Sequence, residues 1–263
     1  MLTTAPPRRV QVGPVLVDRV TFTEALDAVT DLVERRRGGT VFTPNVDHVV
    51  MASEDDRFRC AYAGVDLSLA DGMPVVWASR ALGAPLPERV AGSDLCAPLM
   101  RRAAEKGWRV YLFGGGRGSA KRAASRLRAA YPDLKIVGTA SPRVDMSEPA
   151  AQRRAALDAI SAVAPDLVLV GLGAPKQELW IHESAAALAP AVLLGIGASI
   201  DFLAGNAHRA PEWMSTAGLE WLYRLAREPR RLWRRYLVRD PRFLGILLAQ
   251  IVRTRAWTSE RPS

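Results

Sequence analysis

Short apolar runs alternate with helix-length segments along most of this chain, and almost every run stops on glycine or an Asp-Gly pair. The first helix opens on Thr21-Phe22-Thr23-Glu24, which has capping-box form, and runs through Arg37 to Gly38-Gly39. Strands are read at Thr40–Thr43, Val65–Ala70, Arg109–Phe113, Leu134–Val137, Asp166–Val170 and Ala191–Leu194. Helices are expected between them, from Pro74 to Leu82 and over 94–106, 118–131, 149–163 and 176–188. Strands alternating with helices of this length argue for an α/β fold, a mostly parallel sheet with helices on both faces. No repeat or low-complexity linker divides the 263 residues, and 49% of them are apolar, enough for one sizeable core.

The alternation ends near residue 218, where the charge balance changes. From Leu219 onward eleven Arg face four acids, so this stretch carries +7 of the chain's +9. We therefore divide the chain into an α/β core, 1–218, and a basic amphipathic helical appendage, 219–263. Four of the seven Trp (213, 221, 233 and 257) fall in the last quarter. Pro229 and Pro241 sit where new helices begin, with Asp240 as an N-cap for the last. Leu222, Ala226, Trp233 and Leu237 share one face at helical spacing, and Arg224, Arg227, Arg231 and Arg234 share another.

Arg with interfacial aromatics on such helices suits an anionic surface, either lipid headgroups or phosphates. Trp221, Arg227, Trp233 and Arg235 are the expected membrane-facing residues. A solvated Arg face packed on the core gives the same pattern, and Arg with aromatics also suits nucleic acid. The longest late apolar run, Phe243–Val252, is broken by Gly245 and Gln250 and is far shorter than the roughly 20 residues of a spanning helix. Met1–Arg9 holds no apolar stretch of the signal-peptide kind. The two cysteines, Cys60 and Cys96, imply no disulfide framework, fit a reducing compartment and read as small buried hydrophobes.

In a parallel sheet, ligands bind beyond the carboxyl ends of the strands. The glycines at 114–116, 171 and 173, and 195 and 197 let backbone N–H groups approach a phosphate at a helix N-terminus. Gly114-Gly-Gly116-Arg-Gly118-Ser119 approaches a dinucleotide fingerprint, but Ser119 holds the last glycine position. The next strand ends in Gly138, without an acid for a ribose diol. Asp71 follows a strand directly, where an ionised carboxylate can accept a proton from a substrate hydroxyl; an Asp-Gly pair also makes a plain turn. Thr43 and Asn45 offer a hydroxyl and an amide suited to sugar hydroxyls, and Asn45 also suits an N-cap for 46–53. His48, His182 and His208 lack metal-ligand spacing and no Asp-x-Asp triplet occurs, so cationic side chains are expected to hold any diphosphate.

These segments together resemble the WecG/TagA/CpsF family of bacterial glycosyltransferases. The resemblance rests on Thr-Pro-Asn at 43–45, Ala-Asp-Gly at 70–72, Glu-Arg-Val-Ala-Gly-Ser-Asp-Leu at 88–95 and Val-Gly-Leu-Gly-Ala-Pro-Lys-Gln-Glu at 170–178. It continues with Asp-Phe-Leu-Ala-Gly at 201–205, Arg-Ala-Pro-Glu-Trp at 209–213, Gly-Leu-Glu-Trp-Leu-Tyr-Arg-Leu at 218–225 and Glu-Pro-Arg-Arg at 228–231. The ordered set spans about residues 12–257.

The resemblance implies a Rossmann-like core and transfer of a sugar, N-acetylmannosamine or a related residue, from a UDP-sugar donor to a polyprenyl-diphosphate-linked sugar acceptor. It implies work at the cytoplasmic membrane face in making cell-surface polysaccharide, with no cofactor, no metal and no nucleic acid, and it is compatible with a homo-oligomer. Carried over residue by residue, Asp71 matches the general base, Thr43 and Asn45 polar pocket residues, and Arg89 and Gln177 residues implicated in activity. Gly114, Gly116, Gly173, Lys176 and Asp201 are expected at the nucleotide, and Arg224, Arg231 and Arg234 at a diphosphate. Two positions depart from the family pattern: Pro74 stands where Gly is frequent, and Thr-Ala-Ser-Pro-Arg at 139–143 replaces a Gly-Tyr pair, leaving Pro142 or Arg143 in the place of a Tyr.

Overall fold

The expected sheet is present: six strands, all parallel, with helices on both faces. The computed structural model describes residues 9–146, 150–206, 210–211, 213–214 and 217–259, and the side chains among them except those of 150–152 and 255–259. Met1–Arg8, His208, Arg209, Glu212 and the Trp257 side chain lie outside the described residues.

The first described element is a hairpin that sequence reasoning missed, β1 (Arg9–Val12) and β2 (Val15–Asp18), paired antiparallel. Its alternation buries Val10, Val12, Val15 and Val17 in the main core. Then come α1 (Phe22–Glu34), β3 (Gly39–Phe42), α2 (Val46–Glu54), α3 (Asp56–Ala63) and β4 (Leu67–Ser68). They are followed by α4 (Met73–Ala81), α5 (Gly92–Lys106), β5 (Arg109–Gly114), α6 (Ser119–Ala130) and β6 (Lys135–Ala140). The core closes with α7 (Ala150–Ser161), β7 (Leu167–Gly171), α8 (Lys176–Leu188), β8 (Val192–Gly195) and α9 (Ser199–Leu203). The capping box of α1 forms as expected, with the Glu24 carboxylate accepting from Thr21 N at 2.7 Å and Glu24 N donating to Thr21 Oγ1 at 3.3 Å.

The sheet order is β4-β3-β8-β7-β5-β6, so β8, the last strand made, lies between β3 and β7. Successive residues point to opposite faces. Val168, Val170 and Leu193 enter one core cluster, while Leu167, Leu169, Val192 and Leu194 enter the other. The strand expected over Val65–Ala70 shrinks to Leu67–Ser68 because a side chain takes over its start. The Asp66 carboxylate accepts from Thr40 N at 2.8 Å and from Thr40 Oγ1 at 3.0 Å. Beyond it, Leu69 N still donates to Phe42 O and Asp71 N to Pro44 O, at 2.9 and 2.8 Å, keeping the segment beside β3.

The C-terminal stretch forms α10 (Glu220–Arg227), α11 (Pro229–Arg234), a π-helical turn (Arg235–Arg239) and α12 (Arg242–Ser259). Pro229 begins a helix as expected. Asp240 closes the π-helical turn instead of capping α12, its N–H donating to Arg235 O at 2.8 Å. Glu228, at φ −133° and ψ 57°, breaks the rod, so the faces expected across 222–237 do not lie along one helix. The helices pack back on the core. Phe243 is buried in the main cluster with Ile246 and Leu247 against it. Gln250 accepts from Gly13 N at 2.7 Å and donates to Gln11 O at 2.9 Å, and Arg242 pairs with Glu54 at 2.6 Å. Among the described residues no helix is long and apolar enough to cross a membrane. Cys96 is buried as expected; Cys60 is exposed, since it falls on the outer side of α3.

Candidate active site

Two clefts open at the carboxyl ends of the strands, each partly walled by the C-terminal helices. The first encloses about 400 Å³ around Asp71. Gly72, at φ 121°, a region side-chain-bearing residues avoid, turns the chain from Asp71 straight into α4. Burial pushes the Asp71 carboxyl up to about 6, and the Glu220 carboxylate adds to the rise. Arg224 and Arg89 oppose it, while Asp94 raises it further. Arg89 Nη1 stands 3.7 Å from Asp71 Oδ1, and its Nη2 donates to Asp94 at 2.6 Å.

Asn45 is the N-cap foreseen for it and stands at the cleft. Its side chain caps α2 by accepting from Asp47 N at 3.0 Å, and it lines the Asp71 cleft. Thr43 lies behind it, 5% exposed, donating to Gly195 O at 3.2 Å and packed where a side chain on residue 92 would fall. Met73, Pro74, Trp221, Phe243 and Leu244 give the cleft an apolar wall; Arg224 and Arg235 give it a cationic one. Arg224 is ion-paired with Glu220 and sits 5.8 Å over the Phe202 ring.

Arg235, expected to face a membrane, points inward. Its Nε lies 3.1 Å from Asp47 Oδ2, and its Nη2 donates to Asn45 Oδ1 at 3.3 Å. Arg239 takes the other Asp47 oxygen at 2.6 Å. The physical reason is the π-helical turn, which sets Arg235, Arg239 and Asp240 on one side, against a carboxylate whose side chain is 4% exposed. Asp240 lines the cleft 3.9 Å from Arg235, its own carboxyl raised to about 6 by burial, with Arg235 countering. Asp47 and Glu220 were not singled out in the sequence, where each reads as an ordinary acid in the first turn of a helix.

The second cleft encloses about 630 Å³ over the glycine loops. Gly115, Gly171, Gly173 and Gly197 line it together with Arg117, Ser141, Arg143, Lys176, Asp201 and Arg231. Gly114 lies just beneath, where a Cβ would come 2.4 Å from Gly171 O. The loop amide that a dinucleotide phosphate would use is already taken: Asp201 Oδ1 accepts from Gly116 N at 3.0 Å and from Ser119 Oγ at 2.6 Å. Lys176 reaches Val144 O at 3.1 Å. Pro142 and Arg143, at the departure from the family pattern, both line this cleft. Arg117 and Ser141 were missed, although the run Gly-Gly-Gly-Arg-Gly places a cation on a phosphate-type loop.

Three further expectations are separated by the geometry. The three arginines expected at a diphosphate lie apart: Arg224 joins the Asp71 cleft, Arg231 the glycine cleft, and Arg234 lies 5.3 Å over Trp233. Arg227, Trp233 and Trp221 are all exposed, and Trp221 also lines the cleft wall, 6.0 Å from the Tyr236 ring. Gln177 is 2% exposed and turned into the protein, accepting from Gly197 N at 2.8 Å and donating to Glu178 Oε1 at 2.8 Å. Burial pushes the Glu178 carboxyl up to about 7, with Gln177 acting against the rise.

Residues 10–257 match the family model described as the glycosyl transferase WecG/TagA/CpsF family. The chain is 34% identical over 208 residues to a protein of Bacillus spizizenii named N-acetylglucosaminyldiphosphoundecaprenol N-acetyl-beta-D-mannosaminyltransferase, covering 79% of this chain and 78% of that one. It is 33% identical over 205 residues to a protein of the same name from Bacillus subtilis, covering 78% and 77%. With the match running from the first hairpin strand into the last helix, the chain belongs to the WecG/TagA/CpsF family of glycosyltransferases.

Proposed function

We propose that this protein is an inverting, metal-independent glycosyltransferase that moves N-acetylmannosamine or a related sugar from a UDP-sugar to a polyprenyl-diphosphate-linked N-acetylglucosamine. The observation that carries the reading is Asp71: a carboxyl raised to about 6, at the floor of a cleft apolar on one side and cationic on the other. At neutral pH it is mostly ionised, yet basic enough to take a proton from a sugar hydroxyl. The hydroxyl oxygen forms the new bond to the anomeric carbon as its proton passes to Asp71. The bond to the UDP oxygen breaks on the opposite face, and the electron pair leaves with UDP. Lys176, Arg143 and Arg231 meet that charge.

Thr43 and Gln177 act in this scheme as positioning residues, because they hold Gly195 and Gly197 at the end of β8. The acceptor identity is carried over from the names of the two Bacillus relatives. The core, 1–218, supplies the base and the glycine loops. The appendage, 219–263, closes both clefts and rests on the inner face of the membrane. Large apolar side chains exposed on it (Leu222, Trp233, Leu237, Leu244, Leu248 and Val252) support that placement.

The test is UDP release from a panel of UDP-sugars, with and without a prenyl-diphosphate-linked N-acetylglucosamine. Acceptor-dependent release that disappears in Asp71→Asn is the expected result. Release that survives the substitution removes Asp71 from the chemistry, and release of a reduced or epimerised nucleotide-sugar overturns the transferase reading.

A further inference from the structure

The reaction proposed above involves two diphosphates, one on the nucleotide and one on the lipid, and the structure holds two clefts with separate cations. Resting on that reading, we propose that Arg235, pinned by Asp47 and Asn45, is the ligand for the lipid acceptor's diphosphate, while Arg231 serves the nucleotide's.

Four observations point this way. First, the clefts differ in chemistry. The Asp71 cleft sets Arg89, Arg224 and Arg235, with the acids Asp71, Glu220 and Asp240, beside Trp221, Phe243 and Leu244, and it is this apolar wall next to arginine forks that suits a diphosphate head on an isoprenoid chain. The glycine cleft surrounds Arg231 and Lys176 with Ser141, Arg143 and Asp201, which suits a polar nucleotide. Second, Asp47 does not need Arg235 for neutralisation, since Arg239 already meets it at 2.6 Å. Third, Arg235 lies in ion-pair contact with Asp47 and, at 3.9 Å, with Asp240 through Nε, and it donates Nη2 to Asn45, so the guanidinium is held beside the cleft while Nη1 takes part in none of these contacts. Asn45 is fixed in turn: its Oδ1 accepts from Asp47 N and Arg235 Nη2, which leaves its NH2 as a second donor on the cleft wall. Fourth, Arg231 and Arg235 are four residues apart on one helical stretch, about 6 Å of rise, so a single short segment addresses both clefts. The two diphosphates can then sit on either side of the reacting sugar without sharing a cation.

The test uses the full chain, with UDP and farnesyl diphosphate as soluble probes in titration calorimetry. The wild type is expected to bind both at once, each with unchanged affinity in the presence of the other. Arg235→Gln is expected to weaken farnesyl diphosphate at least tenfold and UDP less than twofold; Arg231→Gln is expected to do the reverse. Competition between the probes, failure of the wild type to bind farnesyl diphosphate, or equal effects of Arg235→Gln on both would overturn the assignment. The competition experiment needs no variant, so it decides the matter even if Arg235→Gln fails to fold. Transfer to lipid acceptor is scored separately. Transfer with competing probes overturns only the two-site assignment, whereas two-site binding without transfer overturns the transferase reading and keeps the sites.

Discussion

Arg89 holds its guanidinium 3.7 Å from one Asp71 oxygen, near enough to bias the carboxyl's proton and too far for a hydrogen bond. Asp71 therefore titrates under opposing neighbours, with Glu220 raising its pKa and Arg224 and Arg89 lowering it from the burial-driven rise to about 6. The rate of transfer should climb with pH through a limb near 6 as Asp71 ionises. Arg89→Leu should shift that limb upward and Glu220→Gln should shift it downward, read from kcat against pH. Asp71→Asn should cost roughly 10²–10⁴ in kcat. A limb that both variants leave in place would separate the pH dependence from Asp71.

Three carboxyls, Asp71, Glu178 and Asp240, are raised to about 6, 7 and 6. Each binds its proton more tightly in the folded chain than in the unfolded one. The stability this supplies is complete below the ordinary carboxylate range and is lost as pH rises through 6 to 7. The melting temperature should accordingly be lower at pH 8 than at pH 5. Glu178→Gln keeps an oxygen to accept from Gln177 and removes the fully buried titration, so it should flatten the profile and stabilise the protein by about 2–3 kcal/mol at pH 8. Differential scanning calorimetry across that range checks both statements.

Asp47 joins the π-helical turn to α2 through two arginines. Asp47→Asn would leave both guanidinium groups partly buried without their carboxylate, and we expect a loss of roughly 2–4 kcal/mol. Limited proteolysis should then cut first in the stretch from α11 to α12. An intact tail at wild-type protease concentrations would show that apolar packing of Phe243 alone secures it.

Leu244, Leu248 and Val252 are 60%, 62% and 66% exposed and recur every four residues along the outer side of α12. Replacing all three with Ser should lower binding to anionic vesicles about tenfold or more, as expected for the loss of several buried methylene groups. Binding of the wild type should also fall with added salt, through its arginines. Co-sedimentation with phosphatidylglycerol vesicles measures both effects. Unchanged sedimentation would move the membrane contact elsewhere.

The sheet was legible because each central strand is an apolar run closed by glycine, as at Gly114, Gly171 and Gly195. The hairpin carried an equally plain signal, Val10, Val12, Val15 and Val17 around Gly13-Pro14, but it stands outside the strand–helix alternation that guided the reading. Asp71, Asn45 and the glycine loops could be placed at the clefts because they follow strands directly. Arg235 could not, because a π-helical turn rotates its face and helical spacing then assigns it to the wrong side. Asp47 was hidden for a different reason. An acid in the first turn of a helix is ordinary, and only the returning C-terminal stretch makes it a buried anchor.

The position of β8 bears on how such a chain comes to be folded. Among the described residues, Val192–Gly195 alone joins β4-β3 to β7-β5-β6, and it is the last strand in chain order. Without that strand the sheet order divides into two halves with open edges, an arrangement prone to wrong pairing. Seating β8 brings Thr40 and Val168 to either side of Leu193, across separations of 153 and 25 residues. Such distant closures slow folding. The same strand sets Gly195 against Gln177, so the joining of the two half-sheets and the packing of α8 behind the glycine loops depend on one strand.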